Sequence, residues 1–218
     1  MKIQWFGKVC FIPGVEYNSN SVLVKDEKIM IIDPGLPDNY YLLGALESVG
    51  IKSEDVDIIV NTDCHVDHCG GNTMFPNAEL MSGSAEYISA ADPKYTLSET
   101  FGVKMKKRKV KKISSGTTIS LGETSWQVIE TPGHAPGAIS LYEPELKILA
   151  SGDVVFKEGV GRTDLPGGNI KQLRKSLEKL SKMDIDLVLP GHGEPCYKEN
   201  ILLGLDLANV LAPGVAGK

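Results

Sequence analysis

Apolar residues fall along this chain in short runs of four or five, broken by Gly, Pro, Asn and Asp. Lys2–Phe6 and Val9–Ile12 read as strands, and Ser21–Val24 and Lys28–Ile32 as two more, joined by the turn Lys25-Asp26-Glu27. Val56–Val60 reads as a strand covered on both faces, and Ala78–Met81 as another. In the second half, Thr117–Leu121 and Thr124–Glu130 form a hairpin through Gly122-Glu123. Ala138–Tyr142 and Ile148–Ala150 pair through Glu143-Pro144-Glu145, and Ile185–Leu189 runs into Pro190-Gly191-His192. Helical spacing interrupts these runs four times. Pro37–Val49 carries Tyr41, Leu42, Ala45, Leu46 and Val49 on one stripe and stops at Gly50. Ser84–Ala91 is a short helix capped by Ser84, with Tyr87 and Ile88 inward. Ile170–Met183 has Leu173, Leu177, Leu180 and Met183 in line, and Asn200–Leu211 is an apolar-rich helix ended by Pro213-Gly214. Between Asp92 and Lys112 the pattern fades. Two runs of strands with helices between them predict an α/β fold: an αββα sandwich of two mixed β-sheets, helices on the outer faces. The expectation is a single domain over residues 1–218, its two halves meeting near residue 115.

Composition sets limits. Of 218 residues, 42% are hydrophobic, enough to fill a core, and 28 acids against 23 bases give a net charge of -5. That balance argues against a nucleic-acid partner. No apolar run approaches the roughly 18–20 residues that span a bilayer. The N-terminal run is too short for a signal peptide, so the expected setting is cytoplasmic with no membrane partner. Cys10, Cys64, Cys69 and Cys196 form no CxxC pair, which argues against a disulfide framework. Cys64 and Cys69 are either buried packing or a redox-sensitive or weakly ligating thiol. The basic run Lys104–Lys112 is either a solvated face or a rim that attracts an anionic substrate. The apolar closing helix either docks on the core or faces a second subunit in a homodimer.

Only four histidines occur, and each ends an apolar run beside glycine or acid. His65 and His68 lie in Asn61-Thr62-Asp63-Cys64-His65-Val66-Asp67-His68-Cys69-Gly70-Gly71, His134 follows Thr131-Pro132-Gly133, and His192 follows Pro190-Gly191. With Asp153 after Ser151-Gly152 they make seven candidate ligands: Asp63, His65, Asp67, His68, His134, Asp153 and His192. Imidazole and carboxylate without thiolate suit zinc, iron or manganese, zinc first. Seven ligands exceed one tetrahedral zinc and fit two divalent ions. The assignment is Asp63, His65 and His134 to one, Asp67, His68 and His192 to the other, and Asp153 between them. Two ions about 3.5–4 Å apart can hold a bridging hydroxide and polarise an acyl or phosphoryl oxygen.

These motifs resemble the metallo-β-lactamase superfamily, and within it the glyoxalase II-like hydrolases. The family's loop reads His-x-His-x-Asp-His-x-Gly-Gly after a strand; here it is Asp63-Cys64-His65-Val66-Asp67-His68-Cys69-Gly70-Gly71. Thr131-Pro132-Gly133-His134, Ser151-Gly152-Asp153, Leu189-Pro190-Gly191-His192-Gly193 and the early Ile32-Asp33-Pro34-Gly35 follow the family order. The resemblance implies that Asp33 supports the metal loop from behind. Gly161–Asn169 resembles a segment of short glyoxalase II-like proteins and persulfide dioxygenases, and Arg162 and Asp164 there are either a surface ion pair or a structural lock on the site. Tyr17, Asn18, Asn20, Cys196 and Tyr197 are pocket candidates. The main departure is Asp63, where the family usually has histidine. Aspartate either ligates, favouring iron or manganese somewhat, or holds only a metal water and leaves a mononuclear site. The implied activity is hydrolysis of a thioester or related small acyl substrate by a metal-bound hydroxide, with Asp67 and Asp153 in the catalytic set. The alternatives are an iron persulfide dioxygenase, a lactonase or phosphodiesterase, and a non-catalytic metal-binding protein.

Overall fold

A computed structural model describes residues 2–212. The first sheet has seven strands in sequence order: β1 (Gln4–Phe6), β2 (Val9–Ile12), β3 (Ser21–Lys25), β4 (Ile29–Ile32), β5 (Ile58–Asn61), β6 (Glu79–Ser82) and β7 (Lys111–Lys112). β1 to β4 pair antiparallel and β4 to β7 parallel, so the sheet is mixed. The second sheet is built from β8 (Thr118–Ser120), β9 (Ser125–Glu130), β10 (Ile139–Glu143), β11 (Ile148–Gly152), β14 (Leu187–Pro190) and β15 (Cys196–Tyr197). In it only β11 and β14 are parallel. A small hairpin, β12 (Val155–Phe156) and β13 (Gly159–Val160), stands apart. The helices are α1 (Tyr40–Ser48), α2 (Val66–Cys69), α3 (Ala85–Ala90), α4 (Pro93–Thr96), α5 (Ile170–Ser181) and α6 (Lys198–Leu211).

The two-residue period of each strand explains why its run is apolar throughout. On β2 to β5, Val9, Phe11, Val22, Val24, Met30, Ile32 and Val60 enter the core between the sheets, where Trp126, Val128 and Leu141 meet them. Their neighbours Cys10, Leu23, Ile31 and Ile59 face the other way, onto Leu42 and Leu46 of α1 and Ile88 of α3. A third core packs Leu149 and Val188 of the second sheet against Leu173, Leu177 and Leu180 of α5 and Ile201 and Ala208 of α6. Three apolar interlayers make four layers, the αββα arrangement.

Differences from the sequence reading have local causes. The first helix starts at Tyr40, not Pro37, because the Asn39 side chain accepts from Leu42 N and caps it there. Ser84 does not cap α3 through its hydroxyl, which donates to Pro136 O at 2.6 Å and ties the loop of the second half to the first. α4, β7, β12, β13 and β15 were not foreseen; none exceeds four residues, too short to show a period. The Pro213-Gly214 stop lies outside the described residues. α6 buries Ile201, Gly204 and Ala208, while Leu202, Leu203, Leu207, Val210 and Leu211 stay exposed. No described helix is long and apolar enough to cross a membrane.

Candidate metal centre

Strands β4, β5, β9, β11 and β14 all end at one edge of the sandwich, and each is followed by a residue of interest: Asp33, Asp63, His134, Asp153 and His192. The loop after β5 turns into α2 and delivers His65, Asp67 and His68 within one turn. Gly152 adopts φ 56°, and a Cβ there would meet Thr62 Oγ1. At Gly191 a Cβ would collide with the Asp153 carboxylate, so glycine is what lets these two loops close on the ligands.

The ligand atoms converge in three groups: Asp63, His65 and His134; Asp67, His68 and His192; and Asp63, His68 and Asp153. His65 Nδ1 lies 3.0 Å from His134 Nε2, and Asp63 Oδ2 lies 3.5 Å and 3.6 Å from those two nitrogens. His192 Nε2 lies 3.1 Å from Asp67 Oδ2, which is 3.7 Å from His68 Nε2. Asp153 spans both groups, with Oδ1 3.5 Å from His68 and Oδ2 3.4 Å from His134 and 3.7 Å from His192.

Whether this set fits metal is tested by its unpaired atoms. Asp63 Oδ2, His65 Nε2, His68 Nε2 and Asp153 Oδ1 are buried and have no hydrogen-bond partner. A buried polar atom left unpaired costs about 1–3 kcal/mol, so the three that converge, Asp63 Oδ2, His68 Nε2 and Asp153 Oδ1, fit an occupant that pairs them. The electrostatics name its sign. Burial opposes charge on His68, yet Asp63, Asp153, Asp33 and Asp67 together hold its pKa well above the ordinary value. For His65 and His192 burial also works against the charge, and neighbouring aspartates again prevail and raise the pKa. Burial pushes the Asp63 and Asp153 carboxyls up, but the surrounding imidazoles overcome it and hold both well below the carboxylate range. The cluster is a sink for cations, and it fits two divalent ions or one.

Supporting contacts set which atoms are free. Asp33, buried and at φ 54°, accepts from Thr62 N, Thr62 Oγ1 and His68 Nδ1 at 2.8, 2.6 and 2.9 Å. That proton on Nδ1 leaves His68 Nε2 as the ligating atom. Burial raises the Asp33 pKa, opposed by His68. His134 Nδ1 donates to the Arg162 carbonyl at 2.7 Å, which frees its Nε2 in the same way. One oxygen of Asp63, Oδ1, accepts from His65 N at 2.9 Å, so the shorter residue braces its own loop and still presents Oδ2.

The remaining candidates fall elsewhere. The Arg162 guanidinium pairs with Asp164 on the surface, and neither side chain touches a ligand; the segment reaches His134 through the Arg162 backbone. Asn20 bonds Gly14 N, Pro190 O and Gly193 O, and Asn18 accepts from Leu36 N; both hold loops behind the ligands instead of facing substrate. Tyr17 is exposed and meets the Phe101 ring edge-on at 6.1 Å. Cys196 is buried in the third core and Tyr197 is exposed; both border a different cleft, with Gln4 and Leu187. Burial lifts the Cys64 and Cys69 thiols well above their usual pKa, and both donate to backbone carbonyls. Lys104, Lys106 and Arg108 line a hollow behind the metal loop, and Lys111 and Lys112 pair with Glu79 and Glu86. The basic run thus does not rim the cleft over the metal ligands.

That cleft, about 470 Å³, is lined by His65, Asp67, His134, Asp153 and His192 below and by Leu97, Phe101, Phe156 and Leu165 at its sides. None of the four apolar residues was singled out from sequence. Leu97 and Phe101 belong to the stretch where periodicity fades, and that fading was the available signal: the segment packs over a site, not along an element.

Comparison with known proteins places the chain. The profile of the metallo-beta-lactamase superfamily matches residues 14–192. The chain belongs to that superfamily. A probable metallo-hydrolase of Methanocaldococcus jannaschii is 36% identical over 192 residues, covering 83% of this chain and 90% of that one. The hydroxyacylglutathione hydrolase GloC of Haemophilus influenzae is 26% identical over 200 residues, covering 84% and 89%. A protein structure solved in a di-iron-bound form superposes with a TM-score of 0.71 at 29% identity, covering 86% of this chain and 94% of that one.

Proposed function

We propose that this member of the superfamily hydrolyses an activated acyl compound, a thioester first, at the two ligand triads joined by Asp153. The observation that carries the reading is the set of three buried, unpaired ligand atoms, of Asp63, His68 and Asp153, converging beneath an open cleft. The similarity to a hydroxyacylglutathione hydrolase supports thioester chemistry. Asp63, His65 and His134 would hold one ion, Asp67, His68 and His192 the other, and Asp153 both. Zinc suits this set, and the di-iron relative supports iron as the other candidate. When bound, divalent ions supply a water that is acidic near neutral pH and positive charge for the developing acyl oxyanion.

The chain's own part is orientation and proton handling. Asp33 and the Arg162 carbonyl fix the tautomers of His68 and His134. Asp67, on the cleft floor with Oδ2 toward His192, is placed to take the proton of the attacking water and return it to the departing sulfur. The oxygen of water bonds to the acyl carbon, the carbon–sulfur bond breaks, and acid and thiol leave.

The test is elemental analysis of protein purified without added metal, beside Asp63→Ala, followed by thioester turnover. About two ions per chain falling to one in the variant, with turnover in the parent, supports the reading. One iron in both forms and no thioester turnover overturns it.

A further inference from the structure

The cleft above the ligands contains a feature that hydrolysis does not need. Leu97, Phe101, Phe156 and Leu165 stand around the rim, facing the ligand floor. Phe101 is 36% exposed, and Phe156 sets its ring edge-on to His192 at 6.3 Å. Leu97 is held at φ 57°, a left-handed backbone unusual for leucine. A half-buried leucine and an exposed phenylalanine at one mouth lose wetted apolar surface when a ligand covers them.

Charge points the same way. Among the residues lining the cleft Arg162 is the one lysine or arginine, and its Nε and Nη2 are both engaged by Asp164 at 3.0 and 2.8 Å. Next along the rim, Lys157 is paired with Glu194. An anionic carrier such as a tripeptide thiol, with its free carboxylates, would meet no unengaged cation on these walls. An alkyl or aryl group would bury its surface against four apolar side chains.

We infer that the rim formed by Leu97, Phe101, Phe156 and Leu165 is a binding subsite for an uncharged, apolar substituent of the substrate. This rests on the acyl-hydrolase reading only for the name of the reaction; the subsite itself is defined by the walls. The probes are unhydrolysable neutral analogues of acyl-N-acetylcysteamine, the thioester sulfur replaced by methylene, with acetyl, butyryl, hexanoyl and octanoyl chains. Calorimetry on the metal-loaded protein should show affinity rising about threefold to fourfold per buried methylene. Phe101→Ser and Leu165→Ser, at positions that are not fully buried, should each flatten the series. The glutathione counterpart of the hexanoyl probe should bind no tighter than the neutral one. A flat series, an unchanged slope in both variants, or a tenfold preference for the glutathione form overturns the inference. A rising slope without turnover of any thioester upholds the subsite and removes the hydrolase reading.

Discussion

The two ends of the sandwich are built from the same turns and strands but follow opposite rules. At the end away from the ligands, the Asp26 carboxylate in the β3–β4 turn accepts from Lys8 Nζ, Thr124 N and Thr124 Oγ1 at 2.7, 2.7 and 2.8 Å. Lys28 N also donates to Leu121 O across the sheets. Asp26 thus staples one sheet's turn to the other's, with its donors satisfied. At the ligand end four buried atoms have no partner, and Asp33 holds a left-handed backbone. The first end closes its buried carboxylate on donors, and the second leaves buried ligand-side atoms on which binding can act.

The sharpest way to break this comparison is to exchange the phenotypes of the two ends. Asp153→Asn removes the carboxylate shared by both triads. Turnover should fall by about a thousandfold or more, since several kcal/mol of charge stabilisation leave with the metals. Its Tm should no longer respond to a chelator, whereas the parent's should drop; a variant that keeps its chelator response would place Asp153 outside the site. Next in size, Asp33→Asn should weaken metal affinity by about 10–100-fold, because His68 loses the carboxylate that fixes its ring. Titration with a competing chelator reads this, and unchanged affinity would make Asp33 only a turn former.

The smallest effect belongs to the stapled end. Asp26→Ala should cost about 2 kcal/mol, mostly by leaving the Thr124 N–H and hydroxyl without their acceptor, while Lys8 keeps Glu123. That amounts to a Tm about 4–8 °C lower, with metal content unchanged. Its pH dependence sharpens the point. Burial alone would raise the Asp26 carboxyl, but Lys8 and Thr124 overcome it and hold the pKa well below the ordinary range. A depressed folded-state pKa means the contribution is complete above the unfolded value of about 3.9 and is lost as pH falls below it. Denaturant midpoints of parent and Asp26→Ala should therefore converge on going from neutral pH to about pH 3. A constant gap would mean that Asp26 acts through packing, not charge.

How much of this the sequence showed depends on whether a residue speaks through a pattern. The strands were legible because each apolar run feeds two cores at once, as Leu23 and Val24 do on opposite faces. The seven candidate ligands were legible because the histidines are few and sit with acids and glycines just after apolar runs, and the structure gathers them into three neighbouring groups. Thr62, which donates to both Asp33 oxygens, looked like any loop threonine. Arg162 contributes through a carbonyl, a group every residue carries, so its side chain misdirected attention to the surface pair with Asp164. The apolar rim was invisible because Leu97 and Phe101 sit where the chain has no period, and what they share is a place in space.

The ligands also differ in access. In one triad the His65 side chain is 3% exposed and His134 6%, but in the other His192 is 38% exposed. Traffic through the centre is therefore one-way streets opening on a single gate. An ion held by His192 can trade ligands with bulk solvent one at a time, while its neighbour waits behind closed imidazoles. Stripping with a chelator should run in two phases, the fast one assigned by His192→Ala, and a single phase would equalise the two positions. With both positions filled, such a centre would keep its inner ion through a shortage and surrender the outer one first.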